Sequence, residues 1–233
     1  MTTELDAIAH ASSRLLAVVD KLDDNAMLND SSLPSWTVGN VLAHIALNAE
    51  AFVGVASDRR NGRTGVMYPH GVAGRNAGIA ALGTESASVI AARLRASAEA
   101  FAAAWSEPVP NGPVCPAVGL PEFDTSEVLS RRLREVEVHG FDSGLRTLAM
   151  DGWTDYFVTT DLLAQWANLY RRTDESINVV DETGHAWSVG DATPAPITID
   201  RRALLAWILD RHHIEALPTL ESWGDQSRWS TPK

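Results

Sequence analysis

Apolar residues recur at the helical period in four separate stretches of the first 150 residues, which rules out a β-rich fold for this part of the chain. Leu5, Ile8, Leu15, Val19 and Leu22 fall near one stripe of a first helix, which Thr2 or Thr3 can cap and Asp23-Asp24-Asn25 ends. Thr37 reads as the N-cap of a second helix that carries Val38, Val41, Leu42, Ile45, Ala49 and Phe52 together with His44. A third runs from about 84 to 105. Asp124-Thr-Ser-Glu127 has the form of a helix start, and the fourth helix continues from it through Val128, Leu129, Leu133 and Val136 to about Leu148. Residues 57–83 hold Gly, Pro, Asn and Arg without periodicity and are expected to form a long loop; five prolines make 106–121 another. Four long helices joined in this way predict a bundle.

The pattern changes near Asp151-Gly-Trp153. A helix is expected over 155–171, then a hairpin of 177–180 and 185–189 across Asp-Glu-Thr-Gly, a strand at 197–199, a helix from Arg202 to Arg211 and a loose tail over 224–233. The fold class expected is mostly α with a smaller α+β part, a four-helix bundle over 1–150 followed by a small α+β domain over 151–233.

At 233 residues the chain can bury roughly 70% of its unfolded surface, so disulfide staples are not needed. The single cysteine, Cys115, sits in Pro-Val-Cys-Pro without a nearby histidine and reads as a loop thiol. The net charge of −11 is spread evenly, 12 basic against 17 acidic residues through residue 150 and 7 against 13 after it. No basic face is available to release counterions from phosphates, so nucleic acid is not an expected partner. No signal-like start and no apolar run near 18 residues stand out, so no membrane partner is expected and the location read is cytoplasmic.

Glu135 and His139 are four residues apart on the fourth helix, an offset of only about 40° around its axis, so both project from one side. Glu137 is roughly 200° from His139 and cannot join them. His44 on the second helix is the natural third ligand, because bundles build metal sites from facing helices. A His₂Glu set leaves a position open, as catalytic zinc sites do. Asp142 and Asn48 each lie one turn beyond a histidine and could orient a ligand. The plainer reading stays open at this point: a surface Glu–His pair and a core histidine. His10 and His185 read as exposed, His70 as a loop residue, and His212-His213 as a helix C-terminus favoured by the macrodipole.

The segment from Trp36 through His44 to Asn48 and Ala49 resembles the metal-binding helix of the mycothiol-dependent maleylpyruvate isomerase family, a branch of the DinB-like bundle proteins. Met67-Tyr68 with Gly74-Arg75-Asn76 resembles the family's loop between its second and third helices, and Arg132 to Gly144 its second ligand helix. Leu204 to Arg211, followed by Leu217-Pro218 and Trp223, resembles its C-terminal domain. Asp210 stands where the family's usual context has a glycine before the arginine.

The resemblance implies zinc on His44, Glu135 and His139, mycothiol as thiol cofactor, and a substrate-binding arginine, Arg211, in a C-terminal domain that contributes to an active site between the domains. The reaction implied is isomerisation of maleylpyruvate to fumarylpyruvate in aromatic-compound degradation. Addition of a thiolate makes the cis double bond single, rotation follows, and elimination restores it. A zinc-held exogenous thiol loses its proton at neutral pH, so the chain needs no catalytic cysteine. Arg211, and after it Arg75, would stabilise enolate charge or grip a carboxylate; Asn48 would contact substrate or cofactor, and Asp142 would orient a ligand or act as base. The expected partners are a small dicarboxylate and a thiol, with no obligate protein partner. A mycothiol S-transferase and a non-catalytic metal-binding interaction protein are the alternatives.

Overall fold

The computed structural model describes residues 3–192 and 194–221; the expected cap Thr2, Trp223 and the expected tail over 224–233 lie outside them. The chain divides into two compact units, Met1–Gly152 and Trp153–Lys233.

In the first unit the capping chemistry sets the helix starts. Thr3 accepts from the Asp6 amide, and Asp6 returns the bond, at the head of α1 (Glu4–Val19). A short α2 (Asp24–Leu28) follows on the Asp23 cap, where Asp23-Asp24-Asn25 was expected only to end the first helix. Thr37 and Asn40 form the same reciprocal cap on α3 (Val38–Arg60). β1 (Gly65–Val66), α4 (Gly71–Gly83), α5 (Ala87–Ser106), β2 (Pro113–Cys115), β3 (Phe123–Asp124) and α6 (Val128–Asp142) complete the unit. α3 packs against α4, α5 and α6, and α1 against α5 and α6. Val41, Leu42, Ile45, Ala46, Ala49 and Phe52 of α3 are sealed from solvent. α3 is long and apolar enough to cross a membrane, and its apolarity is accounted for by its place at the centre of the bundle.

Three sequence expectations are corrected by the structure. Residues 57–83 are largely helical, because α3 continues to Arg60 and α4 fills 71–83. The glycines that disguised α4 serve its packing: a Cβ on Gly83 would meet the Asn40 side chain at 2.3 Å, and one on Gly39 the Gly83 carbonyl at 2.4 Å. The close approach of α3 and α4 therefore overrides poor intrinsic helix propensity. The fourth helix stops at Asp142, six residues before Leu148. Gly144 takes φ +74°, its amide bonds to the Phe141 carbonyl, and 3₁₀ turns follow. The proline-rich stretch contributes β2, which pairs with β1 in parallel and with β3 antiparallel. Cys115 lies on that strand as a free thiol.

The second unit holds α7 (Asp155–Trp166), β4 (Ile177–Val180), β5 (Ala186–Val189), β6 (Ile197–Thr198) and α8 (Arg201–Ile208). β4 and β5 form the expected hairpin with Ile177 opposite Val189, and β6 lies parallel to β4. α8 ends in a Schellman turn: the Asp210 amide bonds to Trp207 O and the Arg211 amide to Ala206 O, with Asp210 at φ +60°. The expected helix therefore ends before Arg211. Trp153 packs edge-on against Phe157 in the core with Leu162, Leu204 and Leu205.

Candidate metal centre

α3 and α6 face each other along the bundle, and their inward residues meet at His44, Glu135 and His139. One ligand atom from each of the three lies within 4.8 Å of the others. His44 Nε2 is 2.9 Å from Glu135 Oε2, and His139 Nε2 is 3.4 Å from the same oxygen. Ligands at about 2.0–2.1 Å from a tetrahedral zinc are separated by about 3.3 Å, so only small adjustments would seat an ion. Glu135 Oε2 is itself shielded from solvent between the two imidazole nitrogens. A carboxylate oxygen left in that state is costly and accommodates a cation. The donor set therefore fits a divalent metal ion.

The surroundings tune each donor. His139 Nδ1 is 2.9 Å from Asp142 Oδ2, which turns Nε2 toward Glu135. Burial lowers His44 to about 4, against the pull of Glu135, so its ring is neutral at pH 7. Burial pushes Glu135 up, but its contacts with His44 and then His139, together with the Arg132 charge, outweigh it and hold the carboxyl well below its usual range. Glu137 sits on the other side of α6, buried against Arg14 of α1.

Two further residues complete the setting. Arg132, three residues before Glu135, is buried at 1% exposure, donates to the Ile45 carbonyl and Asn48 Oδ1, and lies over the Phe101 ring. Burial brings it down to about 10, so it stays charged. Tyr68 approaches Asn48 and Arg75; burial and then the Glu135 charge push its phenol up, so it keeps its proton. The angular arithmetic that joined Glu135 to His139 also places Arg132 near that face, a signal the sequence reading left unused.

Among the expected site residues, His44, Glu135, His139 and Asp142 come together. Arg75 stands on α4 instead of a loop, with Nη2 3.1 Å from His44 Nδ1. Asn48 is 1% exposed, accepts from Arg132 through its carbonyl oxygen and lies against Tyr68 of the adjoining cleft. Arg211 belongs to the second unit, where it donates to the Leu209 carbonyl and lines a cavity of about 240 Å³ with His212 and His213. His10 and His185 are exposed, and His185 lies against the Trp187 ring. Tyr68 and Arg75 line a cleft of about 670 Å³ that runs along α3 beside α4 and β1.

The comparisons with known proteins bear on the family and the fold. The family profile described as mycothiol maleylpyruvate isomerase N-terminal domain matches residues 8–143. A crystal structure of the mycothiol-dependent maleylpyruvate isomerase has the same fold, with a TM-score of 0.78, 19% identity, and coverage of 94% of this chain and 95% of that one. A histidine-to-alanine mutant of that isomerase gives a TM-score of 0.78 at 18% identity, with the same coverage. No curated protein matches the sequence.

Proposed function

Because this chain belongs to the mycothiol maleylpyruvate isomerase N-terminal domain family, we propose that it is a zinc- and mycothiol-dependent cis–trans isomerase of 4-oxo-2-enoates, the class to which maleylpyruvate belongs. The observation that carries the proposal is the convergence of His44, Glu135 and His139 on one point, with Asp142 behind His139. A metal on these three residues would supply a thiol held as thiolate, for reversible addition to an alkene whose electron pair moves onto the ketone oxygen and returns on elimination, so that no thiol is consumed.

The remaining tasks fall to the chain's own side chains. Asp142 keeps a proton on His139 Nδ1 and so keeps Nε2 free to bind. His44, then His139 and Arg132, keep Glu135 a carboxylate. Arg75, at the junction of the metal residues and the cleft, grips the substrate carboxylate through paired hydrogen bonds. The same task is proposed for Arg211 on its chemistry alone. The substrate and thiol are small soluble molecules, and a cytoplasmic location is part of the same proposal.

The test is the conversion of maleylpyruvate to fumarylpyruvate by zinc-loaded protein with and without catalytic mycothiol. Turnover that needs the thiol, leaves it unconsumed and disappears in His44→Ala is the expected result. One thiol lost per product would make the protein a mycothiol S-transferase, and no turnover of maleylpyruvate or of any other cis-4-oxo-2-enoate with zinc bound would overturn the isomerase.

A further inference from the structure

The cleft beside Arg75 is roomier than a small dicarboxylate needs, and it has the wrong character for one. Its volume of about 670 Å³ falls in the range of sites that enclose drug-sized ligands. Leu47, Ala51, Val66, Met67 and Pro69 give it apolar walls. Its carboxylates, Glu50 and Asp58, are already held by Arg93 at 2.8 Å and Arg63 at 2.7 Å. Arg75 is the cation of the lining, it stands at the His44 end, and among the described residues no carboxylate pairs with it. A ligand with its carboxylate on Arg75 can extend the rest of its body into this cleft along α3. A second carboxylate carried that way would lose water to apolar walls and meet Glu50 and Asp58. An apolar group would be drawn out of water by the same surface.

We infer that the substrates of this chain are cis-4-oxo-2-enoates whose ketone bears an aryl or branched alkyl group where maleylpyruvate bears a second carboxylate, with that group seated in the cleft between α3 and α4. The inference rests on the isomerase reading for the reactive alkene, whereas the preference of the cleft is a binding property. Gly54 gives a clean handle on it. It lies on α3 in the cleft lining, and a Cβ added there meets nothing within 4 Å. A leucine at this position would enter the cleft and leave the metal residues untouched.

The experiment is calorimetric titration of the zinc-loaded full chain with two unreactive probes: 3-benzoylpropionate, a monocarboxylate with an aryl ketone, and adipate, a dicarboxylate of similar length. The expected result is at least tenfold tighter binding of 3-benzoylpropionate, with that advantage lost in Gly54→Leu while adipate is unaffected; Arg75→Ala weakens both. Equal binding, a preference for adipate, or indifference to Gly54→Leu would overturn the inference. Turnover of cis-3-benzoylacrylate with catalytic mycothiol separates the two readings. Binding that follows Gly54 with no turnover of either this compound or maleylpyruvate sustains the cleft assignment and removes the isomerase. Turnover of both, with a higher kcat/KM for the benzoyl compound that Gly54→Leu abolishes, supports the two together.

Discussion

His139 and Asp142 face each other across one turn of α6, the ring Nδ1 2.9 Å from Oδ2 of a carboxylate that is 1% exposed. A carboxylate ion can only accept, so Nδ1 carries the proton and the Nε2 lone pair points toward Glu135. Asp142→Ala removes this constraint and leaves the ring free to turn. Zinc affinity should fall by roughly 10–100-fold, the usual effect of losing such a support. Competition against a chromophoric chelator reads this directly, and an unchanged affinity would make Asp142 a structural carboxylate only.

Arg75 acts in the opposite sense. A guanidinium has only donors, so its 3.1 Å contact makes His44 Nδ1 the acceptor and puts the ring proton on Nε2, the atom facing Glu135. A cation held between Nε2 and Oε2 must displace that proton and tolerate the nearby positive charge. Arg75→Ala is expected to bind zinc more tightly, by roughly tenfold or about 1.4 kcal/mol, while losing affinity for a carboxylate ligand. Weaker zinc binding in that variant would show that Arg75 supports the site instead.

The metal-stripped protein should be acid-labile in a defined window. His44 titrates at about 4 when folded, against 6.5 as a model value, because burial disfavours its charged form. Between these values the unfolded chain binds more protons than the folded one, so stability is full above pH 6.5 and is lost as the pH falls toward 4. Glu135, held low when folded, adds a loss in the same direction below its model value of 4.5. Urea midpoints measured across pH 4–7 should therefore drop, and His44→Asn should flatten the upper part of the drop.

Asp210 explains how the chain departs from the family's glycine before the arginine. The Schellman turn at the end of α8 requires the left-handed conformation, and Asp210 adopts it at φ +60°. Aspartate tolerates this region better than most residues, and its charge also supports the buried Arg172 guanidinium. Asp210→Asn and Asp210→Gly should stay within about 1 kcal/mol of the parent, whereas the β-branched Asp210→Val should cost about 2 kcal/mol or more. Urea denaturation would show this ordering, and a harmless valine would mean that the turn is not rigid.

The sequence exposed the parts of the molecule whose physics is local. Thr37, Thr3 and the Asp124–Glu127 box mark helix starts because each satisfies amides within one turn. Glu135 and His139 were legible for the same reason, since a helix fixes their relation. α4 was hidden, because what makes Gly71–Gly83 a helix is contact with α3 and not its own composition. The bond from Arg132 to Asn48 was hidden because the two residues are distant in sequence. The apolar cleft was also out of reach, since its walls come from α3, α4 and the segment around β1 and exist only once those pack.

Glu135 and Glu137 test the angular argument most sharply. They are two residues apart on one helix and end on different sides of it, Glu135 at the histidines and Glu137 buried on Arg14. Glu137→Gln removes the charge that compensates a largely desolvated guanidinium, and breaking such a pair costs about 3–5 kcal/mol. Its stability should fall by that order, with zinc affinity nearly unchanged in the folded fraction. Glu135→Gln takes away the anionic ligand, so zinc affinity should fall at least as far as in Asp142→Ala. Because the fold holds Glu135 ionised, the uncharged amide also lowers the stability of the metal-stripped protein, by less than Glu137→Gln. Thermal unfolding with and without chelator separates the two variants. If both lost zinc affinity and stability together, α6 would not be dividing its two faces between a metal centre and the bundle core.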